Sequence, residues 1–254
     1  MNYPARLCLA AVLSCSALAA KPLEVPDWAR PGSATHQQVP PPAGHQQPTV
    51  TFAEPIGIFD GQADVGGPIL PGSASFDAAT KSYRIDAAGY NIWYFRDEFR
   101  FLWKKLSGDV SLAADISFPN AEGYGDRKTV LIVRQDLDDN AKEIMTALHG
   151  VGLIHLAQRP EKGADLKEDG RIEAAEVPMN GPKPVRLGIE KQGDQFTLWV
   201  SVAGEPMRQV GAPVTLKFDA PFYVGIGFTS HVPDQMDATV VSNVILENSA
   251  GQVR

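Results

Sequence analysis

From about residue 50 onward, apolar side chains recur at every second position, and this period restricts the fold more than any other feature of the chain. In VSLAADISF, Val110, Leu112, Ala114, Ile116 and Phe118 fall on one side, and Ser111, Ala113, Asp115 and Ser117 on the other. FTLWVSV repeats the pattern, with Phe196, Leu198, Val200 and Val202 opposed by Thr197, Trp199 and Ser201. Successive side chains of a strand point to opposite faces, so each stretch offers one face to a core. KTVLIVR is apolar nearly throughout, as a central strand covered on both faces is.

Turn formers separate these runs: Pro71-Gly72, Ser107-Gly108-Asp109, Gly123-Tyr124-Gly125-Asp126, Gly150-Val151-Gly152, Gln192-Gly193-Asp194 and Ala203-Gly204-Glu205. Many short strands punctuated in this way predict a sandwich or barrel. DDNAKEIMTAL is the only stretch with helical character, and Ile144 to His149 reads equally well as a strand. Residues 160–184 are polar and hold Pro160, Pro178, Pro182 and Pro184, which predicts a long excursion, in the form of a hairpin or a loop.

The first residues predict a different fate. Arg6 precedes an apolar run from Leu7 to Ala20, with Ala17-Leu18-Ala19 as a small-residue cleavage site, so residues 1–19 read as a secretory signal peptide. The run is shorter than the ~20 residues a membrane-spanning helix needs, and no transmembrane segment is expected. Both cysteines, Cys8 and Cys15, fall inside it, so the expected mature chain has no thiol for a disulfide, metal or nucleophile. A second reading is lipid attachment at Cys15, because Val12-Leu13-Ser14-Cys15 distantly resembles a lipidation box. Either way the expected location is periplasmic or extracellular. Residues 20–50 are rich in Pro, Gln, His and Gly and read as an extended linker, in which His36 and His45 are too far apart for a metal site. Residues 51–254 are left for one all-β domain. The formal net charge of −7, with no basic block, makes nucleic acid and anionic lipid poor partners.

Several stretches together resemble a known group. LPGSASFDAATKSYRIDAAGYNIW, DEFRFLWKKLSGDVSLAADI, KTVLIVRQDL, RLGIEKQGDQFTLWVSVAGEPMRQVG, FYVGIGFTSH and VVSNVIL are similar to bacterial secreted domains of the concanavalin A-like, laminin-G-like class, often labelled regulation-of-enolase-like. The resemblance runs from about Ile56 to Leu246. It implies an all-β, concanavalin A-like jelly-roll β-sandwich of two antiparallel sheets. Some proteins of this kind carry Tol-type biopolymer-transport labels and others are appended to glycosidases, which implies a fold and not an activity. The 160–184 excursion has no counterpart in the resemblance.

Chemistry is harder to locate. Glucanases with this sandwich usually place Glu-x-Asp-x-(x)-Glu along one strand, so that its carboxylates flank the scissile bond, and no such pattern occurs here. Glu168, Asp169 and Glu173 come nearest, but adjacent residues of a strand point oppositely. Gly-x-Ser-x-Gly, His-Glu-x-x-His and the phosphate loop are missing too. Asp136, Asp138, Asp139 and Asn140 suggest a calcium loop, yet Ala141 and Ala147 stand where a calcium hand needs Gly and Glu. A solvated acidic turn is the better reading; no cofactor is expected, and any calcium is structural.

A binding face is therefore the leading expectation, for carbohydrate or another extracytoplasmic polymer. Sugars are held by aromatic platforms and planar polar groups. The candidates are Asn91, Trp93, Arg134, His149, His155, Gln158, Trp199 and His231. If Gly150-Val151-Gly152 is a hairpin loop, His149 pairs with Leu153 and Ala147 with His155, which puts both imidazoles on one face. Arg134 ends an interior strand, so it either meets a carboxylate or lines a cleft. In FYVGIGFTSH, Val224, Ile226 and Phe228 are expected between the sheets. Gly225 and Gly227 then leave a depression on the other face, made for a ligand or for the passage of the 160–184 excursion. A glycoside hydrolase or lyase built from His149, His155, Arg134 and a carboxylate is the enzymatic alternative. A periplasmic protein-interaction module is the third.

Overall fold

The computed structural model describes residues 25–34, 36, 41, 44–179 and 183–253. The expected signal peptide, with Cys8 and Cys15, lies outside the described residues. In chain order the strands are β1 (Val50–Phe52), β2 (Gly61–Val65), β3 (Ser73–Asp77), β4 (Ser82–Ala87), β5 (Ile92–Trp93) and β6 (Arg96–Asp97). Then come β7 (Phe99–Leu106), β8 (Val110–Ser117), β9 (Lys128–Arg134), β10 (Glu143–His149), β11 (Ile154–Arg159) and β12 (Lys167–Ile172). The last five are β13 (Val185–Gln192), β14 (Gln195–Ser201), β15 (Arg208–Thr215), β16 (Phe222–Thr229) and β17 (Asp237–Glu247).

Two antiparallel sheets form the body. An eight-stranded sheet runs β1-β2-β7-β16-β9-β10-β11-β12, and a seven-stranded sheet runs β15-β14-β13-β8-β17-β4-β3. Between them lies the main core, supplied by the alternating positions. Val110, Leu112, Ala114 and Ile116 of β8, Phe196, Leu198 and Val200 of β14, and Val224, Ile226 and Phe228 of β16 all enter it. The all-β expectation holds, and so does the reading of KTVLIVR: Leu131 and Val133 face this core, while Val130 and Ile132 enter a second one.

That second core covers the outer face of the eight-stranded sheet. Phe99, Phe101, Val130, Ile132, Met145, Ala147 and Ala157 meet Ile92, Trp93 and Leu166 there. The small β5–β6 hairpin arches over the sheet, held by Asp97 N–H to Asp139 O at 2.8 Å and Leu166 N–H to Tyr94 O at 3.0 Å. This cover changes the meaning of Gly225 and Gly227. A Cβ on Gly227 would sit 2.5 Å from the Phe99 ring, and one on Gly225 would strike the Leu102 carbonyl and crowd the Phe101 ring. The two glycines are seats for aromatic rings of β7, so neither a ligand nor the 160–184 excursion occupies the depression.

DDNAKEIMTAL contains no helix. Its second half is β10, paired with β9 and β11, and buried at every position. The 160–184 excursion supplies edge strand β12, and Val177 and Met179 reach back into the core between the sheets. The described part of the Pro-rich stretch lies on the sandwich. Val25, Ala29 and Trp28 cluster on Tyr90, and His45 Nε2 stands 2.8 Å from buried Glu98 Oε2. Among the described residues no helix is long and apolar enough to cross a membrane.

Candidate functional site

The second core stops short of one end of the outer face, where several strand termini leave a cleft of about 300 Å³. Register brings its residues together. His149 at the end of β10 lies opposite Lys128 at the start of β9, and His155 of β11 lies between Ala147 and Arg171. The His149 N–H reaches Leu153 O at 2.8 Å, closing the short hairpin that puts both imidazoles on one face. Their rings meet edge to face at 5.0 Å. Trp93 stands 5.3 Å from the His155 ring, and Asn91, Tyr94, Asp126, Glu168 and His231 complete the wall.

The imidazoles are buried and short of partners. Neither ring nitrogen of His149 or His155 makes a good hydrogen bond to a described residue. The nearest carboxylate oxygens, Asp126 Oδ1 and Glu168 Oε2, stand 3.5 and 3.6 Å from their Nδ1 atoms, at or beyond the limit of useful bonding. Burial, reinforced by Lys128, pushes His149 down to about 4, and burial with His149 beside it holds His155 well below the ordinary histidine range. Burial and Lys128 do the same to His231. Near neutrality the cleft therefore presents uncharged imidazoles, each able to donate from one nitrogen and accept at the other.

Lys128 is buried as well. Its ammonium donates to Asn91 Oδ1 at 2.9 Å and lies 5.4 Å from the Trp93 ring centre. Desolvation lowers it to about 8, against the pull of Asp126 and the more distant Asp97 and Glu143, so it remains largely charged at pH 7. Two lining residues, Tyr94 and His231, hold positive φ angles of 54° and 66°. Such conformations cost roughly 1–3 kcal/mol outside glycine and gather at binding and catalytic sites.

The structure thus joins Asn91, Trp93, His149, His155 and His231 in one cleft and separates the other three candidates from it. Arg134 is fully buried beneath the β5–β6 hairpin, bonded to Asp97 at 2.6 Å and to Glu143, with Arg159 closing the cluster on Asp97 at 2.7 Å. An interior guanidinium is tolerated when a carboxylate neutralises it. Asp97, held low by Arg159 and Arg134 against its burial, does so here, while burial raises Glu143 to about 8. Gln158 has the parity of Ile154 and Leu156, so it points to the opposite face from His155 and bonds Asp169. Trp199 projects from the far side of the seven-stranded sheet, across from Gly188 and Gln209.

Lys128, Asp126 and Arg171 are missed by sequence reasoning. Pairing β9 with β10 from their apolar cores would have set Lys128 beside His149. The carboxylates of the acidic loop meet cationic side chains: Lys162 bonds Asp136 and Asp138, and Arg96 stands 3.2 Å from Asp139. Among the described residues, no group of three or more His, Cys, Asp or Glu is arranged to hold a metal ion.

No protein-family model matches the chain, and no curated protein matches it in sequence. Solved structures match its shape. A functionally unknown protein from Saccharomyces cerevisiae superposes with a TM-score of 0.55 at 11% identity, over 80% of this chain and 97% of that one. A xylan β-1,4-xylosidase from Bacillus halodurans gives 0.51 at 13% identity, over 80% of this chain and 40% of the xylosidase. A carbohydrate-binding module from Bacillus subtilis gives 0.45 at 16% identity, over 70% and 92%. Identities this low speak to shape alone, and the shape is a β-sandwich of two antiparallel sheets.

Proposed function

We propose that this chain is an exported binding protein whose histidine-lined cleft holds a carbohydrate, as a free end or a short stretch of a polymer. The observation that carries the reading is the pair of buried imidazoles, His149 and His155, whose four ring nitrogens lack good partners while they line a cleft beside Trp93. Unpaired buried polar groups are costly, and a ligand rich in hydroxyls satisfies them. Trp93 supplies an apolar ring for the C–H face of a sugar. At about 300 Å³ the cleft stands at the small end of ligand pockets, which run from roughly 300 to 1,000 Å³.

Binding is favoured over cleavage by the same electrostatics. A general base works best with a pKa near the operating pH, and His149 at about 4 is a weak base at neutrality. The enzymatic alternative also loses Arg134, which is sealed in its ion cluster. The carbohydrate-related names among proteins of similar shape agree with the reading, and membership of the regulation-of-enolase-like group remains part of the proposal. A glycan array, followed by calorimetry on retained sugars, tests it. Retention that His149→Ala and Trp93→Ala both abolish is the expected result. No retention on any glycan, with capture of a protein partner instead, would replace it with the interaction-module reading.

A further inference from the structure

Among the described residues each of the four buried arginines has a carboxylate partner, and the two buried lysines, Lys128 and Lys191, have none. Arg100 stands 3.1 Å from Asp64, Arg127 3.1 Å from Asp237, and Arg134 and Arg159 share Asp97. Lys191 has no carboxylate partner but donates to the Gly108 and Gly193 carbonyls. Lys128, only 2% exposed, bonds one neutral amide oxygen, that of Asn91, and among the described residues no carboxylate forms an ion pair with it. An ammonium has three donors, so two point to no described acceptor. Burying a charge in this state is expensive unless something outside the chain completes it.

We propose that Lys128 receives the carboxylate of an acidic saccharide, so that the ligand of the cleft is a uronic acid unit seated beside Trp93. The inference rests on the carbohydrate reading above and narrows it to one charge class. Arg171, the other cation of the cleft, is already committed to Glu168 at 3.4 Å and Glu173 at 3.1 Å. Asp126 and Glu168 on the wall repel a second negative charge. One ammonium with no carboxylate in bonding contact, in a cleft lined by uncharged imidazoles, suits a monoanion and disfavours a phosphate or sulfate-rich ligand. The imidazoles of His149 and His155 remain for the sugar hydroxyls, which both donate and accept.

Calorimetry on the mature chain with trimers of galacturonate, mannuronate and glucuronate, their methyl esters, and the matching neutral trimers tests the proposal. At least one acid trimer is expected to bind roughly 10- to 100-fold tighter than its ester, the usual effect of one charge-assisted hydrogen bond. Lys128→Met should bring acid and ester to equal affinity, and Lys128→Arg should restore part of the difference. Should Lys128→Met fail to fold, the acid-to-ester ratio of the unaltered protein decides alone. Equal binding of acid and ester, or preference for the neutral trimer, overturns the charge assignment and leaves the carbohydrate reading standing. Binding of none of the trimers overturns the charge assignment, and silence on the glycan array as well overturns both.

Discussion

The rings of His149 and His155 meet edge to face at 5.0 Å, on adjacent strands, with Lys128 directly across from His149. Protonating either imidazole would bring a second positive charge beside the Lys128 ammonium in a site with little water. Burial first, and Lys128 second, push His149 down to about 4 in the folded chain from its ordinary value of 6.5. Between these values the unfolded chain binds more protons, so stability is lost as pH falls from about 6.5 toward 4. By pH 5 the loss from His149 alone is about 2 kcal/mol. Urea unfolding of the parent and of His149→Asn at pH 7.5 and pH 5 checks this. The variant should lose less stability on acidification, and parallel losses would show that His149 titrates normally.

Gly227 should be intolerant of even one added methyl group. A Cβ there would sit 2.5 Å from the Phe99 ring and 3.0 Å from Val130, which forces a shift in a closed core. Overpacking of this kind costs roughly 1–3 kcal/mol. Gly227→Ala should lower the unfolding free energy by about that much, and Phe99→Leu in the same chain should recover part of it. Gly225→Ala should cost more, because its obstacle is a backbone carbonyl that has no rotamer to escape into.

These two glycines also show how far the amino-acid pattern could be read. Alternation assigns Val224, Ile226 and Phe228 to the core correctly, because apolar period two has one physical solution in an antiparallel sheet. What fills the opposite face depends on residues more than 100 positions away, and nothing local to FYVGIGFTSH announces Phe99 or the β5–β6 cover. The cleft divides the same way. Ala147 opposite His155 follows from a short hairpin, whereas Lys128 enters only once β9 is registered against β10. The position of Arg134 at the end of an interior strand allows either a carboxylate or a cleft, and Asp97, brought in by the hairpin over the outer face, decides it.

The Arg134 cluster should matter for folding and not for binding. Asp97, Glu143, Arg134 and Arg159 have fully buried side chains, so removing Arg134 leaves two interior acids with Arg159 as their one shared cation. Breaking a buried pair from one side costs about 3–5 kcal/mol. Arg134→Leu should show that loss in denaturant unfolding while ligand affinity, measured well below the melting point, stays within twofold of the parent.

The described part of the Pro-rich stretch should behave as part of the body. Trp28 meets the rings of Tyr90 and His45, each at 4.9 Å, and these contacts hold Val25 and Ala29 buried against the sandwich. Trp28→Ala should release the segment locally. Limited proteolysis around residues 30–45 should then accelerate roughly tenfold for each ~1.4 kcal/mol of docking energy removed. Global unfolding should change much less, and unchanged cleavage rates would mean that Trp28 does not anchor the segment.

Two tryptophans that composition treats alike should separate cleanly in a binding assay. Trp93 lines the cleft, with its ring 5.3 Å from His155 and within 5.4 Å of the Lys128 ammonium. Trp199 lies on the outer side of the seven-stranded sheet, with the whole sandwich between it and the cleft. An aromatic anchor in a binding site typically contributes 2 kcal/mol or more on truncation, which is about thirtyfold in affinity. Trp93→Ala should weaken glycan binding by roughly that factor, and Trp199→Ala should leave it unchanged. The opposite ranking would move the binding face to the other sheet.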